Sequence, residues 1–555
     1  MLLSGSDILI RTLIEQECDV VFGYPGGQIL NVYDSLYKYS DEITHILTAH
    51  EQGAAHAADG YARTTGKVGV VISTSGPGAT NLVTGIATAY LDSIPMVAIC
   101  GNVPTSQIGT DSFQEIDITG VTLPITKHNY FVGDVKDLAD TVRQAFKLAK
   151  SGRPGPVLID VPKDVQIAMC EYESKGPVEC FEKAAAKDVR IEAAAESINL
   201  AKRPYIYIGG GVLASNAQTE VLELAEKIDA PIGCSMMALS AIPTDHPRFL
   251  GMQGMHGHYA SSMAMHKSDL IISLGTRFND RVTGNRLKFA TNAKIVHIDI
   301  DGSELSKTVN SVHGLRGDIK LTLQKLIPLL DKAERTEWND KIAVLRQQEE
   351  EYSDNREGLT PKNVVCTVNE FLGENTAVAT DVGQHQMWSA QNLYFRKSRR
   401  FVSSGGLGTM GFGLGAAIGA YFGTKEKSVL ITGDGSFGMC LNELATAVSY
   451  KVPVVVLIMN NGVLGMVRQW QTLFFDKHYS NSIIDRKTDF VELARAFGAD
   501  GDKVTNLTEL KNVLAKAFES DMPYVIDCYI DKDEFVLPML PPGGSMDDII
   551  VKAGD

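Results

Sequence analysis

The 555-residue sequence lacks several features that would assign it to a specialised class. It contains no run of about 18 uncharged apolar residues, so we expect no membrane span. Its opening MLLSGSDILIRTLIEQ is interrupted by Asp7 and Arg11, so we expect no signal or transit peptide. Its eight cysteines are scattered and form no CxxC pair, which favours buried, reduced thiols in a cytoplasmic protein over disulfides or a cysteine metal site.

Basic residues are also scarce relative to acidic ones. The chain has 52 Lys and Arg against 67 Asp and Glu, for a net charge of −15. This balance argues against nucleic acid or an anionic membrane as the main partner, although a locally basic site can still bind small anionic substrates. At roughly 100–200 residues per domain, the length indicates three or four domains.

Short apolar runs such as VGVVIST and VPVVVLIMNN alternate with helical stretches along the chain. This alternation predicts Rossmann-like α/β domains with doubly wound parallel sheets. Two charged stretches, 170–188 and 333–358, indicate boundaries between domains. We therefore expect an N-terminal domain at 1–180, a central domain at 185–345 and a C-terminal domain at 360–555.

A pattern of strand, polar loop, helix, proline and strand occurs twice. Aligning ATA at 87–89 with ATA at 445–447 also places Pro95 on Pro453. The match predicts that the first and third domains are versions of one α/β unit, with chance similarity between two Rossmann-like units as the alternative. Similar domains with different loops often share a ligand at their interface.

Polar residues follow two predicted strands of the third domain. Asp434 lies in GDGS after SVLIT, and Asn461 lies in NNG after VPVVVLIM. Because the carboxyl ends of parallel strands lie side by side, we expect these residues to converge. A carboxylate, an amide oxygen and a loop carbonyl, that of Val463, suit Mg²⁺ with additional phosphate and water ligands. Two ordinary turns are the alternative.

The same edge of the predicted sheet offers groups for a diphosphate. Gly433 and Gly435 allow backbone N–H groups to approach an anion closely. Gly383, Gln384 and His385 follow another strand, NTAVAT, and are natural additional donors.

The segment AHEQGAAHAADGYAR at 49–63 predicts a helix of small residues that begins near one carboxylate, Glu51. Glu51, Ala54, Ala55 and Ala58 share a face that is bare enough for a flat ring or another backbone. An acid in the first turn also suits the helix dipole, which is the structural alternative to a catalytic role.

Taken together, these motifs resemble the large, catalytic subunit of acetohydroxyacid synthase (acetolactate synthase), a thiamine diphosphate-dependent enzyme. GDG followed by NN at this spacing is the thiamine diphosphate fingerprint, while RFNDRVTG at 277–284 and GMVRQWQ at 465–471 are more specific to the synthases. The resemblance covers essentially the whole chain, through GYPGG, HEQGAAHAADGYAR, SGPGATN, FQE, GRPGPVLIDVPKDV, GMHG, GGLGTMGFGLGAAIGA and LPPGG.

The resemblance implies a transferase that decarboxylates pyruvate and transfers the two-carbon unit to a second 2-oxo acid. Pyruvate as acceptor gives 2-acetolactate, and 2-oxobutyrate gives 2-aceto-2-hydroxybutyrate, in the first common step of branched-chain amino acid biosynthesis. A related pyruvate oxidase or 2-oxo acid decarboxylase is the alternative within the class. A non-catalytic nucleotide-binding or scaffold protein is the alternative outside it.

For thiamine diphosphate, the resemblance implies that Glu51 is the proton-transfer partner of the aminopyrimidine and that Met410 is the wedge between the two rings. It implies Mg²⁺ ligation by Asp434, Asn461 and Val463. The implied cofactor-binding set is Glu51, Gly383, Gln384, His385, Gly408, Met410, Gly433, Gly435, Ser436, Asn461 and Met466.

The resemblance also implies a pocket for the acceptor substrate. Arg281, with Asp280 beside it, would bind the acceptor carboxylate through its planar guanidinium. Trp470 would form a flat wall able to favour 2-oxobutyrate. The same pocket is implied to include Phe113, together with Gly27 and Gln114, which join Glu51 among the implied catalytic residues.

Three glycines after the strand PYIYI suit a dinucleotide or a plain loop. The resemblance implies FAD in this domain, although the reaction has no net redox step. The implied flavin-binding residues are Arg153, Gly209, Gly210, Gly211, His256, Gly257, Thr276 and Arg277.

The chain departs from the family pattern at Gln28, Asn279 and Leu464. These departures bear on fine selectivity more than on reaction class.

Members of the family share each cofactor between two subunits, so we expect a homodimer or homotetramer. The resemblance also implies a small regulatory subunit. We expect a cytoplasmic enzyme with neither nucleic acid nor membrane as partner.

Overall fold

The computed structural model describes residues 1–552 of the chain. These residues form three six-stranded parallel sheets and one short antiparallel pair, β1 (Leu2–Ser4) with β8 (Met169–Glu171). The prediction of three α/β parallel-sheet domains is therefore confirmed. The boundaries between the domains stay predictions, although 172–187 contains neither helix nor strand.

The first sheet has the strand order β3-β2-β4-β5-β7-β6. Its strands are β2 (Val20–Gly23), β3 (Thr44–Leu47), β4 (Gly69–Ser73), β5 (Met96–Asn102), β6 (His128–Phe131) and β7 (Pro156–Pro162). The accompanying helices are α1 (Gly5–Glu15), α2 (Leu30–Lys38), α3 (Glu51–Thr65), α4 (Pro77–Thr80), α5 (Val83–Asp92), α6 (Ile118–Thr122), α7 (Val135–Lys150) and α8 (Lys163–Ile167), with 3₁₀ turns at Thr105–Gln107 and Leu123–Ile125.

The second sheet has the order β11-β10-β9-β12-β13-β14. Its strands are β9 (Pro204–Ile208), β10 (Ile232–Cys234), β11 (Phe249–Met252), β12 (Leu270–Leu274), β13 (Lys294–Asp299) and β14 (His313–Arg316). Its helices are α9 (Asp188–Leu200), α10 (Gly210–Ser215), α11 (Gln218–Lys227), α12 (Tyr259–Lys267), α13 (Asp280–Thr283), α14 (Ile319–Leu326) and α15 (Thr336–Tyr352), with 3₁₀ turns at Met236–Ala238 and Ile327–Leu329.

The third sheet has the order β16-β15-β17-β18-β20-β19. Its strands are β15 (Val378–Thr380), β16 (Phe401–Val402), β17 (Val429–Gly433), β18 (Val455–Asn460), β19 (Asp500–Val504) and β20 (Tyr524–Tyr529). Its helices are α16 (Pro361–Asn369), α17 (Gln384–Asn392), α18 (Gly413–Thr424), α19 (Asp434–Phe437), α20 (Leu444–Ser449), α21 (Gly465–Phe474), α22 (Phe490–Phe497) and α23 (Leu507–Glu519), with a 3₁₀ turn at Leu441–Glu443. A last 3₁₀ turn, Met546–Asp548, packs against α12 of the middle domain.

The first and third sheets share one permutation of strands. Numbered from its own first strand, each runs 2-1-3-4-6-5, whereas the middle sheet runs 3-2-1-4-5-6. The shared order supports the internal repeat found in the sequence over chance similarity. The order of the middle sheet is that of dinucleotide-binding folds.

Each sheet is covered on both faces, which explains its continuous apolar strands. In β5, for example, Val97 and Ile99 enter one core with α1 and α7, while Met96 and Ala98 enter a second core with α3. The five buried cysteines, Cys18, Cys100, Cys234, Cys440 and Cys528, belong to such cores. All eight thiols are free, but the expectation that all are buried is wrong, because Cys180 is exposed and Cys170 and Cys366 are half-buried.

The repeated domains meet through α3 and α18, which occupy equivalent places in their two sheets. A Cβ at Gly60 of α3 would overlap the carbonyl oxygen of Ala416, and a Cβ at Gly419 of α18 would overlap that of Ala57. The backbones therefore approach each other closely, and only glycine fits at these two points. The close backbone contact with α18 lies on the face of α3 that carries Ala57 and Gly60.

The face of α3 that carries Ala55 and Ala58 lies against backbone of its own domain, which is one of the two surfaces that the sequence allowed. Ala55 lies against Gly85 of α5, and Ala58 lies against Gly69 of β4. This face therefore belongs to the core of the first domain, and the opposite face of the helix contacts α18. Periodicity shows which residues share a face, but it does not show what covers that face.

A buried arginine joins the same two domains at the end of α3. The Arg63 guanidinium donates to the carbonyl oxygen of Ser403 at 2.8 Å and pairs with Asp92 at 2.8 Å and with Asp59. Asp92 also accepts from the backbone N–H groups of Gly405 and Gly406, at 3.0 and 2.7 Å. These bonds connect α5 to the loop that precedes α18.

In residues 1–552, no helix has both the length and the apolar character needed to cross a bilayer.

We expect Gly419→Ala to lower the midpoint of thermal unfolding by about 5 °C, because the added methyl group meets a backbone carbonyl and overpacking costs about 1–3 kcal/mol. Circular dichroism measures the midpoint. Gly423→Ala on the same helix is the matched control, since its methyl group meets the side chains of Thr64 and Thr65, which can rotate. An equal loss in both variants would contradict the proposed backbone contact.

Candidate active site

A pocket of about 90 Å³ lies at the carboxyl ends of the third sheet. It is formed by the loops that follow β15, β17 and β18, so it occupies the edge of the sheet where open α/β folds bind ligands. The predicted residues that line it are Gly383, Gln384, His385, Met410, Gly433, Asp434, Gly435, Ser436, Asn461, Val463 and Met466. The structure thus brings together residues that are more than 80 positions apart in sequence.

Asp434 and Asn461 converge in this pocket, as the strand-end argument predicts. Burial raises the pKa of Asp434 to about 6. Hydrogen bonds from backbone N–H groups, including the N–H of Asn461, lower this pKa but do not offset the effect of burial. Asn461 Oδ1 accepts from the backbone N–H of Val463 at 3.2 Å, across the left-handed Gly462. A buried carboxylate beside an amide and a tight loop suits a hard divalent cation, whose charge would offset the cost of burial.

Two buried polar atoms of the pocket residues have no hydrogen-bond partner among the described residues, Gln384 Oε1 and His385 Nε2. Burial lowers the pKa of His385 to about 3, so the imidazole is neutral. Unpartnered buried polar atoms are costly unless a ligand or water satisfies them. The residues present therefore fit a polar, metal-bound ligand at this place.

Apolar side chains cover the GDG turn. A Cβ built on Gly435 would lie 2.9 Å from Leu464 Cδ2 and 4.0 Å from Met410 Cε. Leu464, one of the departures from the family pattern, therefore packs directly on the turn. Gly408 is exposed, has a φ of +69° and is not among the residues that line the pocket.

Glu51 lies in a second group of residues, in the first domain. It begins α3, is buried, and accepts from Asn81 Nδ2 at 2.9 Å through Oε2. Its other oxygen lies beside Gly78, and Gln114 lies beside the left-handed Gly76 of the same turn. The described pocket of the third domain is lined by no residue of 1–180, so Glu51 does not line the pocket that contains Asp434.

The remaining predicted residues of the first domain lie near this turn or on the surface. Gly27 is exposed and its carbonyl accepts from Lys163 Nζ at 3.2 Å. The neighbouring Gln28 donates its backbone N–H to Thr74 Oγ1 at 3.3 Å, and its buried Oε1 has no described partner. Phe113 is 83% exposed, so the described chain itself provides no pocket for it.

Arg281 and Trp470 come from different domains and meet. The Arg281 guanidinium lies 5.9 Å from the centre of the Trp470 ring and donates to Met255 Sδ at 3.6 Å. The ion pair with Asp280 is exposed and long, at 3.8 Å, so it contributes little. A guanidinium held over an indole with its fork in solvent is suited to bind a carboxylate.

A larger cavity of about 350 Å³ lies where the middle sheet changes strand order, after β9 and β12. This switch point is where such folds bind dinucleotides. Among the predicted flavin residues, Arg153, Gly210, Gly211, Thr276 and Arg277 line the cavity. Gly209 belongs to the same loop, and a Cβ there would overlap the carbonyl oxygen of Gly275, so the two switch-point loops touch.

His256 and Gly257 do not line this cavity. They lie in a turn that follows β11, and the backbone N–H of the adjacent Met255 donates to the carbonyl oxygen of Arg281 at 2.7 Å. Burial lowers the pKa of His256 to about 4. The structure therefore places these two residues behind Arg281 and apart from the switch-point loops.

Sequence reasoning assigned no role to Asp381 or Gln469. Asp381 is buried and accepts from the backbone N–H of Gly411 at 2.8 Å, which holds the loop that carries Met410. Gln469 is 1% exposed on α21 between Met466 and Trp470. A glutamine on an otherwise apolar helix face is the available signal, but its partners come from distant segments.

Three segments of the chain match thiamine pyrophosphate enzyme domains. The N-terminal TPP binding domain matches residues 3–121, the central domain matches 191–326, and the C-terminal TPP binding domain matches 381–528. The fold and the pocket thus define a thiamine pyrophosphate-dependent enzyme.

Full-length relatives narrow the class. A probable acetolactate synthase large subunit of Methanocaldococcus jannaschii is 44% identical over 99% of this chain and 95% of its own length. The acetolactate synthase isozyme 3 large subunit of Escherichia coli is 41% identical over 99% and 98%, and the large subunit of Corynebacterium glutamicum is 44% identical over 99% and 90%. The chain belongs to the acetolactate synthase large-subunit family.

We expect Asp434→Asn to raise the Mg²⁺ concentration required for thiamine diphosphate binding by about tenfold or more, because a neutral amide replaces the buried carboxylate. Equilibrium dialysis at a series of Mg²⁺ concentrations measures the change. Asp521→Asn makes the same substitution at an exposed position before β20, at the opposite end of the sheet, and serves as control. Unchanged Mg²⁺ dependence in Asp434→Asn would remove this residue from the metal site.

Proposed function

We propose that this chain is the catalytic subunit of an acetolactate synthase. It joins two 2-oxo acids by decarboxylating pyruvate and transferring the two-carbon unit to a second pyruvate or to 2-oxobutyrate. The observation that carries the proposal is the placement of α21, which presents Met466 to the diphosphate pocket and Trp470 to Arg281. One helix thus connects the cofactor site with a carboxylate-binding group.

Thiamine diphosphate, when bound, supplies the nucleophilic carbon and the electron sink for decarboxylation. Asp434, Asn461 and the Val463 carbonyl would hold Mg²⁺, with the diphosphate completing the coordination. Gly433, Gly435 and Ser436, with Gly383 and His385, would surround the diphosphate, and Met410 would support the rings. The buried Asp434 and the unpartnered His385 Nε2 support this assignment.

Glu51 is proposed as the proton-transfer partner of the pyrimidine ring. Its burial keeps water away, and the bond from Asn81 orients one carboxylate oxygen, leaving the other beside Gly78. Because Glu51 does not line the pocket that contains Asp434, the proposed complete site takes Glu51 from one subunit and Asp434 from another. A homodimer is the smallest such assembly, and a homotetramer contains two such dimers.

Arg281 is proposed to bind the carboxylate of the acceptor. Trp470 forms the wall against which the extra methyl group of 2-oxobutyrate packs, a contact worth on the order of 1 kcal/mol. Gly27, Phe113 and Gln114 are proposed to complete the pocket from the other subunit, which fits the exposure of Phe113.

FAD is proposed for the cavity of the middle domain. The strand order of this domain and the glycines 209–211 support a dinucleotide, and Arg153 and Arg277 supply positive charge for its diphosphate. His256 and Gly257 do not line this cavity. Their proposed link to the flavin is indirect, through the turn that bonds to the backbone of Arg281.

A small regulatory subunit is a proposed partner, because the named relatives are large subunits. The proposed location is the cytoplasm, which the eight free thiols support.

We expect the purified protein, supplied with pyruvate, Mg²⁺, thiamine diphosphate and FAD in phosphate buffer, to form 2-acetolactate. The product is measured by its acid-catalysed conversion to acetoin. Omission of Mg²⁺ is the control. Acetaldehyde as the main product would identify a decarboxylase, and acetyl phosphate with bleaching of a bound flavin would identify an oxidase; either result would overturn the proposal.

We expect Glu51→Gln to retain cofactor binding and to lose most turnover, because the amide cannot carry the proton. Co-expression of Glu51→Gln and Asp434→Asn chains should then restore about one quarter of the wild-type activity, since random dimers place one intact site in half of the molecules. Each variant expressed alone is the control. Failure to restore activity would show that the two residues act within one chain.

A further inference from the structure

Gln469 uses its whole hydrogen-bonding capacity inside the protein. Its Oε1 accepts from the backbone N–H of Val536 at 2.9 Å and from Gln384 Nε2 at 3.0 Å. Its Nε2 donates to the carbonyl oxygen of Val536 at 3.1 Å and to Met539 Sδ at 3.5 Å. A glutamine amide has two acceptor and two donor positions, so none is left over.

The backbone determines which way both amides point. The N–H of Val536 must face the oxygen of Gln469, and the carbonyl of Val536 must face its nitrogen. Gln384 Nε2 donates both to Gln469 and to the carbonyl oxygen of Glu534, the latter at 2.7 Å. Both Gln384 donors are therefore occupied, and its buried, unpartnered oxygen lies against Gly465 at the start of α21.

We propose that Gln469 is a positioning residue that fixes α21 between the diphosphate loop and the C-terminal segment 534–539. Through this anchor it sets the place of Met466 and Trp470, and it keeps both side-chain N–H groups of Gln384 in bonds within the protein. In this proposal the Gln384 side chain therefore belongs to the anchor and has no N–H group left for a diphosphate.

Three observations indicate that the position of α21 depends on the hydrogen bonds of Gln469. The helix is bound to the sheet by few apolar contacts, since its buried residues are Arg468 and Gln469. Arg468 pairs with Asp533 at 2.6 Å, next to the segment that Gln469 binds. Trp470 is adjacent in sequence, so a shift of Gln469 moves the indole relative to Arg281.

Gln469→Met keeps the volume and removes all four hydrogen bonds. The matched control is Gln471→Met on the same helix, because Gln471 bonds only to Ser480 and Ser482 of the following loop. Hydrogen–deuterium exchange of 465–474 is measured in the cofactor-free protein. We expect exchange about fivefold faster or more in Gln469→Met and close to wild type in Gln471→Met.

The second readout is the product ratio from an equimolar mixture of pyruvate and 2-oxobutyrate, and it rests on the proposed function. We expect Gln469→Met to lower the share of 2-aceto-2-hydroxybutyrate relative to 2-acetolactate by about fivefold, because the Trp470 wall is loosened. A merely structural role would reduce total product and leave the ratio unchanged. An unchanged ratio together with unchanged exchange would overturn the proposal.

A double-variant cycle with Gln384→Met tests the coupling in thiamine diphosphate binding. Binding is measured by equilibrium dialysis in the presence of Mg²⁺. If the residues act as a pair, the double variant binds no more weakly than the weaker single variant. Fully multiplicative losses would contradict the coupling. If the wild-type protein forms no acetolactate, the proposed function fails, while exchange and cofactor binding still decide the role of Gln469.

Discussion

The close contact between α3 and α18 is the constraint on which the arrangement of the chain depends. Gly60 and Gly419 bring two helix backbones together where any side chain would overlap a carbonyl group. The buried Arg63, bonded to Asp92 and to Ser403, extends this contact to the loop before α18. The two related domains are thereby held in one orientation, with Glu51 at the start of α3 and Asp434 in the pocket of the third domain.

Residues at the ends of strands were accessible to prediction from the sequence. Asp434 and Asn461 follow recognisable β-runs, and parallel pairing then requires them to meet. Gln384 illustrates the limit of such reasoning. Its position beside the pocket follows from the strand that precedes it, but the direction of its amide depends on Glu534 and Gln469, which are 150 and 85 residues away. Sequence spacing predicts where the backbone places a side chain. It does not predict which atoms of that side chain hydrogen-bond to other parts of the protein.

The middle domain shows the same limit at the level of topology. Three consecutive glycines are compatible with many loops, whereas the observed strand order and the contact between Gly209 and Gly275 define one switch point. His256 and Gly257 were grouped with the flavin residues through motif resemblance alone, and the structure places them behind Arg281. The packing of α3 against α18 was similarly open, because the periodicity of a small-residue helix does not identify its neighbour. The switch point, the place of His256 and the neighbour of α3 each depend on contacts between residues that are far apart in sequence.

The proposed acceptor pocket takes its groups from different domains. Arg281 belongs to the middle domain and Trp470 to the third, and the guanidinium lies 5.9 Å from the centre of the indole ring. The segment 534–539 bonds to Gln469, the neighbour of Trp470 on α21. Asn279 and Asp280 beside Arg281 are exposed and constrain it weakly. In the proposed acceptor pocket, the anchoring of the indole is therefore a stronger constraint than the charge next to the guanidinium, because the Arg281–Asp280 pair is long and exposed.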